Sequence, residues 1–465
     1  MKRLLMTIGI AALSGAVFSQ NAYDAVKLSQ TNPVLGTARY SGMAGAFNAL
    51  GGNPSAIKDN PAALGVYRSK DFTFTPSLYI NNDGEVKPAL NNFAFVCNFG
   101  SNKNKKGYIT SSLAINYNRM NIISRYTRVK NEKVPFSLTD HIGWMGESND
   151  LYRDAQDMDL LDADGYSVFG GKNVLRGYTL SEKGHVGQWD FAYGMNISNM
   201  VYVGAALGIN VVEYEQTAMY DENTLPGEDP DHWFLDNYYD ANGSGVNFRI
   251  GTIFRPIDEF RIGASFETPT YYNMHEFCEV KIGDNSGDIS REYSSKYDLR
   301  TPLKFKAGAG FVIGKKAMVG IDYQYENYKK VRMKIREVNI DSETDLAEEQ
   351  MNKTHTVKLG GEVQVCDGFF VRGGLAYATS PVKNFEEDQV ETTVNFRVLT
   401  LPQQSIYVTG GLGYKGKVFY CDLAYVFQNN KDYLYPSLPL DESEAMPSIE
   451  DVKTRNIIAT FGWRF

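Results

Sequence analysis

From residue 71 onward, apolar and polar side chains alternate with a period of two in one segment after another. Val201, Val203, Ala205, Leu207 and Ile209 are apolar, and the residues between them are small or polar. Val246, Phe248 and Ile250 alternate with Asn247, Arg249 and Gly251, and Phe305, Ala307, Ala309 and Phe311 with Lys304, Lys306, Gly308 and Gly310. Val319, Ile321, Tyr323 and Tyr325 alternate with Gly320, Asp322, Gln324 and Glu326. The final residues repeat the pattern, with Ile457, Ala459, Phe461, Trp463 and Phe465 on one face and Ile458, Thr460, Gly462 and Arg464 on the other. This period predicts β-strands. A terminus inside a strand frays unless something holds it. Closure of a barrel would hold it, and in a lipid-embedded barrel the apolar face looks outward. A soluble sandwich shows the same alternation with its polar face in water.

Connection lengths separate the two architectures. Brief turns are predicted at Ser101–Gly107, Ser198–Met200, Pro256–Glu259, Gly314–Lys316, Cys366–Gly368 and Lys415–Gly416. Between them lie long polar stretches, predicted as surface loops: Asn118–Gly187, Tyr220–Gly243, Asp284–Tyr297, Lys330–Lys353, Thr379–Pro402 and Asn429–Lys453. Short and long connections alternate, as in outer-membrane barrels. Thr268-Pro269 and Thr301-Pro302 interrupt two long strands, where proline cannot donate to the ladder, and predict bulges. Counting each as one strand gives an all-β, transmembrane antiparallel barrel of about fourteen strands with both chain ends on the periplasmic side.

The start of the chain agrees with export. Lys2 and Arg3 precede an apolar run from Leu4 to Phe18 and then Ser19-Gln20-Asn21, which predicts a secretory signal peptide over residues 1–19. No later apolar run reaches the ~20 residues a membrane helix needs, and mean hydropathy is -0.34. Thirty Tyr, 26 Phe and 43 Gly against 16 Pro favour β structure, the glycines relieving crowding where strands bend. Cys97, Cys278, Cys366 and Cys421 form no CxxC pair and indicate neither a zinc site nor a dense disulfide framework, though pairing among them stays open. A net charge of -8 argues against nucleic acid as a partner.

Residues 20–68 break the pattern. They carry Gly42-Met43-Ala44-Gly45-Ala46-Phe47, Asn53-Pro54-Ser55-Ala56 and Asn60-Pro61-Ala62, rich in small residues and turn signals. A compact segment tied to the periplasmic end of the first strand is predicted to fold into the lumen as a plug, leaving residues 69–465 as the barrel. These motifs resemble the hatch of the FadL/TodX family of outer-membrane transporters for hydrophobic compounds. The resemblance extends to Arg261-Ile262-Gly263-Ala264-Ser265-Phe266-Glu267-Thr268-Pro269, to Val371-Arg372-Gly373-Gly374-Leu375-Ala376-Tyr377 with Ser380-Pro381, and to Gly411-Leu412-Gly413-Tyr414 before Asp422-Leu423-Ala424-Tyr425. It spans nearly the whole mature chain in consistent order, the long loops excepted.

The resemblance implies a monomer in the outer membrane of a Gram-negative bacterium, inserted by the barrel-assembly machinery. It implies passive uptake of long-chain fatty acids or other hydrophobic small molecules, with outer-membrane lipid as surroundings and no cofactor. Relatives release ligand through a lateral gap at a kink in the third strand; here Tyr108–Asn118 contains neither glycine nor proline. Some relatives carry a hemin-receptor label and one branch serves protein secretion as a docking component, so those readings stand beside uptake. Phe465 fits the aromatic C-terminal residue that assembly machinery recognises.

The inner face would carry Asp190, Arg249, Arg261, Glu267, Lys304, Lys306, Asp322, Glu326, Lys358, Glu362, Arg372, Asp422 and Arg464, nearly balanced in charge. Arg249, Lys306 and Arg372 are candidates to meet a substrate carboxylate, against the alternative that they pair with lumen acids and plug backbone. Gly42, Gly45, Asn53, Pro54, Asn60, Pro61 and Ala62 are the hatch positions. Asp157-Met158-Asp159-Leu160-Leu161-Asp162-Ala163-Asp164-Gly165 lacks the spacing and final glutamate of a calcium loop and reads as solvated surface. His141, His185, His232, His275 and His355 are scattered, which leaves a haem ligand as a minor reading and predicts no metal site. Trp144, Tyr152, Trp233, Phe234, Tyr238 and Tyr239 could form a capture groove, pack loop on loop or sit in an interfacial belt. No nucleophile with a base, HExxH or phosphate-cradling glycine motif points to an enzyme.

Overall fold

The computed structural model describes residues 22–100, 106–147, 149–170, 172–226, 232–314, 316–335, 348–383, 399–435 and 448–465. The predicted signal peptide lies outside the described residues. Because the apolar and polar faces must part at every second residue, the chain from Asp71 onward forms one sheet that closes on itself as a 14-strand antiparallel barrel. The strands are β1 (Asp71–Ile80), β2 (Val86–Phe99), β3 (Tyr108–Val134), β4 (Val174–Ile197), β5 (Val201–Asn223) and β6 (His232–Ile257). Then come β7 (Phe260–Glu267 and Tyr271–Asp284), β8 (Asp288–Arg300 and Lys304–Ile313) and β9 (Ala317–Asn327 and Arg332–Ile335). The last are β10 (Lys353–Cys366), β11 (Phe369–Ala378), β12 (Leu399–Lys415), β13 (Phe419–Tyr435) and β14 (Ser448–Arg464).

The ring closes between the first and last strands, in register from Asp71 opposite Arg464 to Ile80 opposite Arg455. β14 is thus paired on both sides, which anchors the terminus. Phe305, Phe311, Ile321, Leu412, Phe461 and Trp463 are exposed on the outside, while Lys306, Asp322, Ile458 and Thr460 are buried. The outer wall is apolar and the inner wall polar, the arrangement lipid requires. Aromatic pairs ring the end that carries the short turns: Phe260 with Phe311 (4.9 Å between centroids), Phe369 with Tyr414 (5.0 Å) and Phe419 with Trp463 (5.5 Å). Among the described residues, no helix is long and apolar enough to cross a membrane.

The two Thr-Pro breaks are neighbours. Thr270 and Thr301 exchange bonds across β7 and β8, the Thr270 amide donating to the Thr301 hydroxyl (2.9 Å) and the Thr301 amide to the Thr270 carbonyl (3.0 Å). Threonine hydroxyls thereby take over ladder positions that the prolines cannot serve. β9 has a third break, a short turn at Tyr328–Lys330 that the sequence does not announce.

The predicted loops are shorter than their polar composition suggests. β3 runs on to Val134 and β4 begins at Val174, and most of Tyr220–Gly243 and Asp284–Tyr297 is strand. Above the lipid the outer face no longer has to be apolar, so the alternation fades from the sequence although the ladder continues. Within the first long stretch, helices α1 (Leu138–Met145) and α2 (Asp150–Asp157) form a crown. Ser137 caps α1 in a capping box with Asp140. The buried Glu222 carboxylate of β5 receives the Leu138 amide (3.1 Å), the Ser137 hydroxyl, the Trp233 indole (3.0 Å) and the Arg176 guanidinium (2.6 Å). The core of the crown joins Leu138, Ile142, Leu151, Ala155, Trp233 and Tyr239.

Candidate functional site

The N-terminal segment, residues 22–68, packs against the strands, with its last 3-10 turn on β4, β5 and β6 and its short helix at residues 38–42 on β12 and β13. A short helix, Ala22–Ser29, buries Ala25, Val26 and Leu28 in the apolar core under the crown. The chain then descends through the one-turn helix Ala38–Gly42, capped by Thr37, and two 3-10 turns, Pro54–Lys58 and Pro61–Val66. Asn53 and Asn60 cap these turns by accepting from Ser55 N (2.9 Å) and Ala62 N (3.0 Å), each with proline in the first position. That is what the repeated Asn-Pro pairs are for locally: an N-cap followed by a residue whose missing amide would have gone unused.

The barrel presents a socket to this segment. A Cβ on Gly360 would stand 2.1 Å from the Met43 carbonyl, one on Gly204 2.4 Å from Pro61, one on Gly263 2.4 Å from the Asn48 carbonyl and one on Gly320 2.3 Å from the Ala46 carbonyl. Inward-facing strand glycines let backbone meet backbone. Gly45 has φ +73 and packs so close that a Cβ would meet the Pro33 carbonyl at 2.4 Å. Gly42 approaches Gly411 of β12 and its carbonyl accepts from the Thr409 hydroxyl at 3.1 Å. Pro54 and Asn60 also reach the wall, where Asn116 donates to the Pro54 carbonyl (3.1 Å) and Asn60 to the Thr252 carbonyl (3.0 Å).

Charge is spent at the same contacts. Asp59 sits between Lys306 (2.9 Å) and Lys358 (3.1 Å) and also accepts from the Tyr40 hydroxyl. Burial opposes its charge, but the Lys306, Lys358 and Lys58 ammonium groups outweigh burial and hold the carboxyl far below the usual carboxylate range. Lys58 has the opposite balance. Burial pushes it down to about 7, Asp59 resists, and Lys358, Lys306 and Lys304 add to the fall. Its ammonium group donates to the Leu35 carbonyl. Arg39 forks onto both oxygens of Glu362, each at 2.8 Å, and Glu362 also holds Arg372 at 2.5 Å.

Arg249, Lys306 and Arg372 therefore all face carboxylates. Arg249 is fully buried, paired with Asp190 and within 3.4 Å of the Ile57 carbonyl; Lys306 holds Asp59; Arg372 bridges Glu362 and Asp422 (2.7 Å). Of the loop aromatics, Tyr152, Trp233 and Tyr239 are buried in the crown core, whereas Trp144 is 77% exposed. Phe465 is 64% exposed, and its backbone exchanges hydrogen bonds with Lys70. The four cysteines are free. Among the described residues, no cluster of three metal-ligating side chains occurs.

Cavities lie on either side of the segment. The one toward the turns, about 370 Å³, is lined by Arg39, Glu362, Arg372 and Asp422. The one toward the crown, about 150 Å³, is lined by residues 27 and 30–33 and by nine strands of the wall. On its β3 side the wall is interrupted. β2 and β3 pair only from Phe99 opposite Ser111 to Asn92 opposite Asn118; beyond that, β2 pairs with β1 alone and β3 with β4 alone. Farther along, the turn between β1 and β2 touches β3 where Asn82 donates to the Tyr126 carbonyl (2.7 Å), and Arg119 crosses the parting to the Leu90 carbonyl (3.1 Å). At the same level β3 carries a bulge, Met120 falling between Arg119 opposite Gly187 and Asn121 opposite Val186. The third strand is thus distorted with no glycine or proline to mark it, just past the stretch in which the sequence offered no kink.

Three solved structures share this architecture along almost their whole length. CymD, a monoaromatic hydrocarbon channel, superposes with a TM-score of 0.54 at 12% identity, covering 94% of this chain and 97% of its own. The Pseudomonas putida toluene transporter TodX gives 0.56 at 10% identity over 93% and 99%. A Pseudomonas aeruginosa FadL homologue gives 0.56 at 12% over 94% and 100%. The chain has the fold of these channels. No family model matches the sequence, and no curated protein matches it. At this identity the shared property is the barrel itself, so activity has to be argued from this chain's own geometry.

Proposed function

We propose that the protein is an outer-membrane channel for passive uptake of hydrophobic compounds, with residues 20–68 as its plug. The observation that carries this reading is the interruption between β2 and β3, which adjoins the crown-side cavity where residues 121–125 of β3 line it and which serves in this reading as the way from the cavity to lipid. Directly below, the plug fills the lumen and is fastened by buried ion pairs. A ligand entering from the surface therefore has a shorter way out sideways than downward. An apolar molecule gains on that route, since roughly 25 cal/mol per Å² favours moving its surface from water into lipid. Similarity in fold to hydrocarbon and toluene channels supports the same reading.

Arg249, Lys306 and Arg372 act in this proposal as anchors of the plug, their partners being the wall carboxylates Asp190, Glu362 and Asp422, the plug carboxylate Asp59 and plug backbone. Mass spectrometry of lipophilic molecules carried by the purified protein, against an unrelated barrel purified in parallel, tests the reading. Enrichment of hydrophobic ligands, together with faster entry of the same compounds into proteoliposomes, is the expected result. No enrichment and no faster entry, with a stoichiometric protein partner instead, would replace it with a docking role.

A further inference from the structure

The crown-side cavity is not lined like a site for a hydrocarbon or for a fatty acid carboxylate. An amide row crosses it: Asn32 of the plug donates to Gln428 (2.9 Å), and Gln428 donates to Asn430 (2.8 Å). Threonine and serine hydroxyls fill in between, Thr354, Thr454 and Ser405 among them, from three different strands. Both cations at the cavity already face carboxylates, Lys27 on Glu182 and Arg125 on Asp432 (3.3 Å). A third carboxylate, Glu326, accepts from the Gln324 amide, so the lining holds more anions than cations. An anionic head would be repelled here, and a bare hydrocarbon would strip water from amides and hydroxyls with nothing to replace it.

Three polar atoms on this wall have no partner: the Ser124 hydroxyl, on a residue only 7% exposed, the Gln403 amide nitrogen and the Oε2 atom of Glu326. Ser124 lies on β3 beside Ile122 and Ile123, where that strand has left β2. Polar lining and apolar exit thus adjoin. We infer that the cavity takes the uncharged, hydrogen-bonding head of an amphiphile, one bearing several hydroxyl or amide groups, while its apolar tail lies past Ile122 and Ile123 in the parting toward lipid. This rests on the reading of the protein as a passive channel, and it narrows the substrate class to neutral amphiphiles.

The test uses the full-length mature protein in nanodiscs and tritiated 1-monomyristoylglycerol as the probe, with empty nanodiscs as background. Unlabelled myristate and tetradecane are the competitors, and each is also titrated directly. Saturable binding of the monoglyceride is expected, with both competitors weaker by about tenfold or more, the equivalent of one or two buried hydrogen bonds. Gln428→Leu and Thr454→Val, each checked for heat-modifiable migration as a folded barrel, should each weaken monoglyceride binding several-fold. Ser124→Ala should do the same. Myristate competing as well as the monoglyceride, or folded variants binding like the parent, would overturn the inference. Saturable binding of myristate or tetradecane alone would overturn it and leave the channel reading standing; saturable binding of none of the three would overturn both.

Discussion

The backbone amide of Asn32 donates to the carbonyl of Met120 at 2.7 Å, joining the plug to the one bulged residue of β3 beside the parting. A bulge turns a carbonyl out of the ladder, and here the plug satisfies it. Deleting Met120 would restore a regular strand, since Arg119 and Asn121 already face consecutive residues of β4, Gly187 and Val186. We expect the deletion variant to fold, by heat-modifiable migration, and to admit hydrophobic probes into proteoliposomes several-fold more slowly. Unchanged uptake by the folded variant would remove the bulge from the route.

Asp59 is the hub of the plug. Asp59→Ala would leave Lys306 and Lys358 buried with only the more distant Glu267 (3.8 Å) and Asp322 (3.9 Å) as counter-charges, a loss of up to about 3–5 kcal/mol, the cost of breaking a buried pair. That loss should fall on the docking of the plug, because the barrel ladder contains none of these bonds. Hydrogen exchange should speed up over residues 22–68 and stay slow in β10 to β14. Replacing the hub as a whole, by Asp59→Leu with Lys306→Met and Lys358→Met, should restore much of the protection.

Lys58 gives the docked plug a pH dependence of known sign. Its folded value of about 7 lies below the 10.5 of a free lysine, so between those two pH values the undocked chain binds a proton that the docked one does not. Docking therefore strengthens as pH rises through that window, by at most about 1.4 kcal/mol per unit, and levels off below about 7. Asp59 contributes a trend of the same sign, but only in acid, where its stabilisation is lost as pH falls below the ordinary carboxylate range. Plug protection, corrected for intrinsic exchange, should increase from pH 7 to pH 9, and Lys58→Met should flatten that rise.

The barrel was legible because lipid imposes a period of two on every strand it touches, as in Phe305–Phe311 and Ile457–Phe465. Where lipid ends, so does the signal, and the upper parts of β3, β4 and β6 and the tip of β5 read as loops although their ladders continue. The polar lining of the crown-side cavity was hidden for the same reason: Asn430 and Thr454 fall in or beside stretches that looked like loop. The hatch motifs were legible as turn chemistry, Asn capping and Pro following. Their reception was not, because an inward glycine such as Gly360 looks in one sequence like any glycine that relieves a bend. Met120 carried no signal, since a bulge needs one extra residue and no particular side chain.

The socket can be tested with adjacent residues. Gly360 faces the plug, where a Cβ would stand 2.1 Å from the Met43 carbonyl, whereas the nearest atom to a Cβ on Gly361 is 3.7 Å away. Gly360→Ala should displace the plug around Met43 and raise single-channel conductance toward that of a barrel lacking residues 22–65. Gly361→Ala should conduct like the parent protein. Equal conductance of the two variants, with the 22–65 deletion also unchanged, would mean that the segment does not close the pore.

Phe465 is held by its backbone and free in its side chain. Its amide donates to the Lys70 carbonyl at 3.2 Å and its carbonyl accepts from the Lys70 amide at 3.0 Å, while the ring is 64% exposed. A ring so placed contributes little packing to the finished barrel, and Phe465→Ala keeps both backbone bonds. Its effect should therefore appear in assembly: fewer molecules reaching the outer membrane in cells, but thermal unfolding and probe uptake per folded molecule close to the parent. Loss of stability in the refolded variant, with normal amounts in the membrane, would make the ring a structural element of the wall and not a recognition signal.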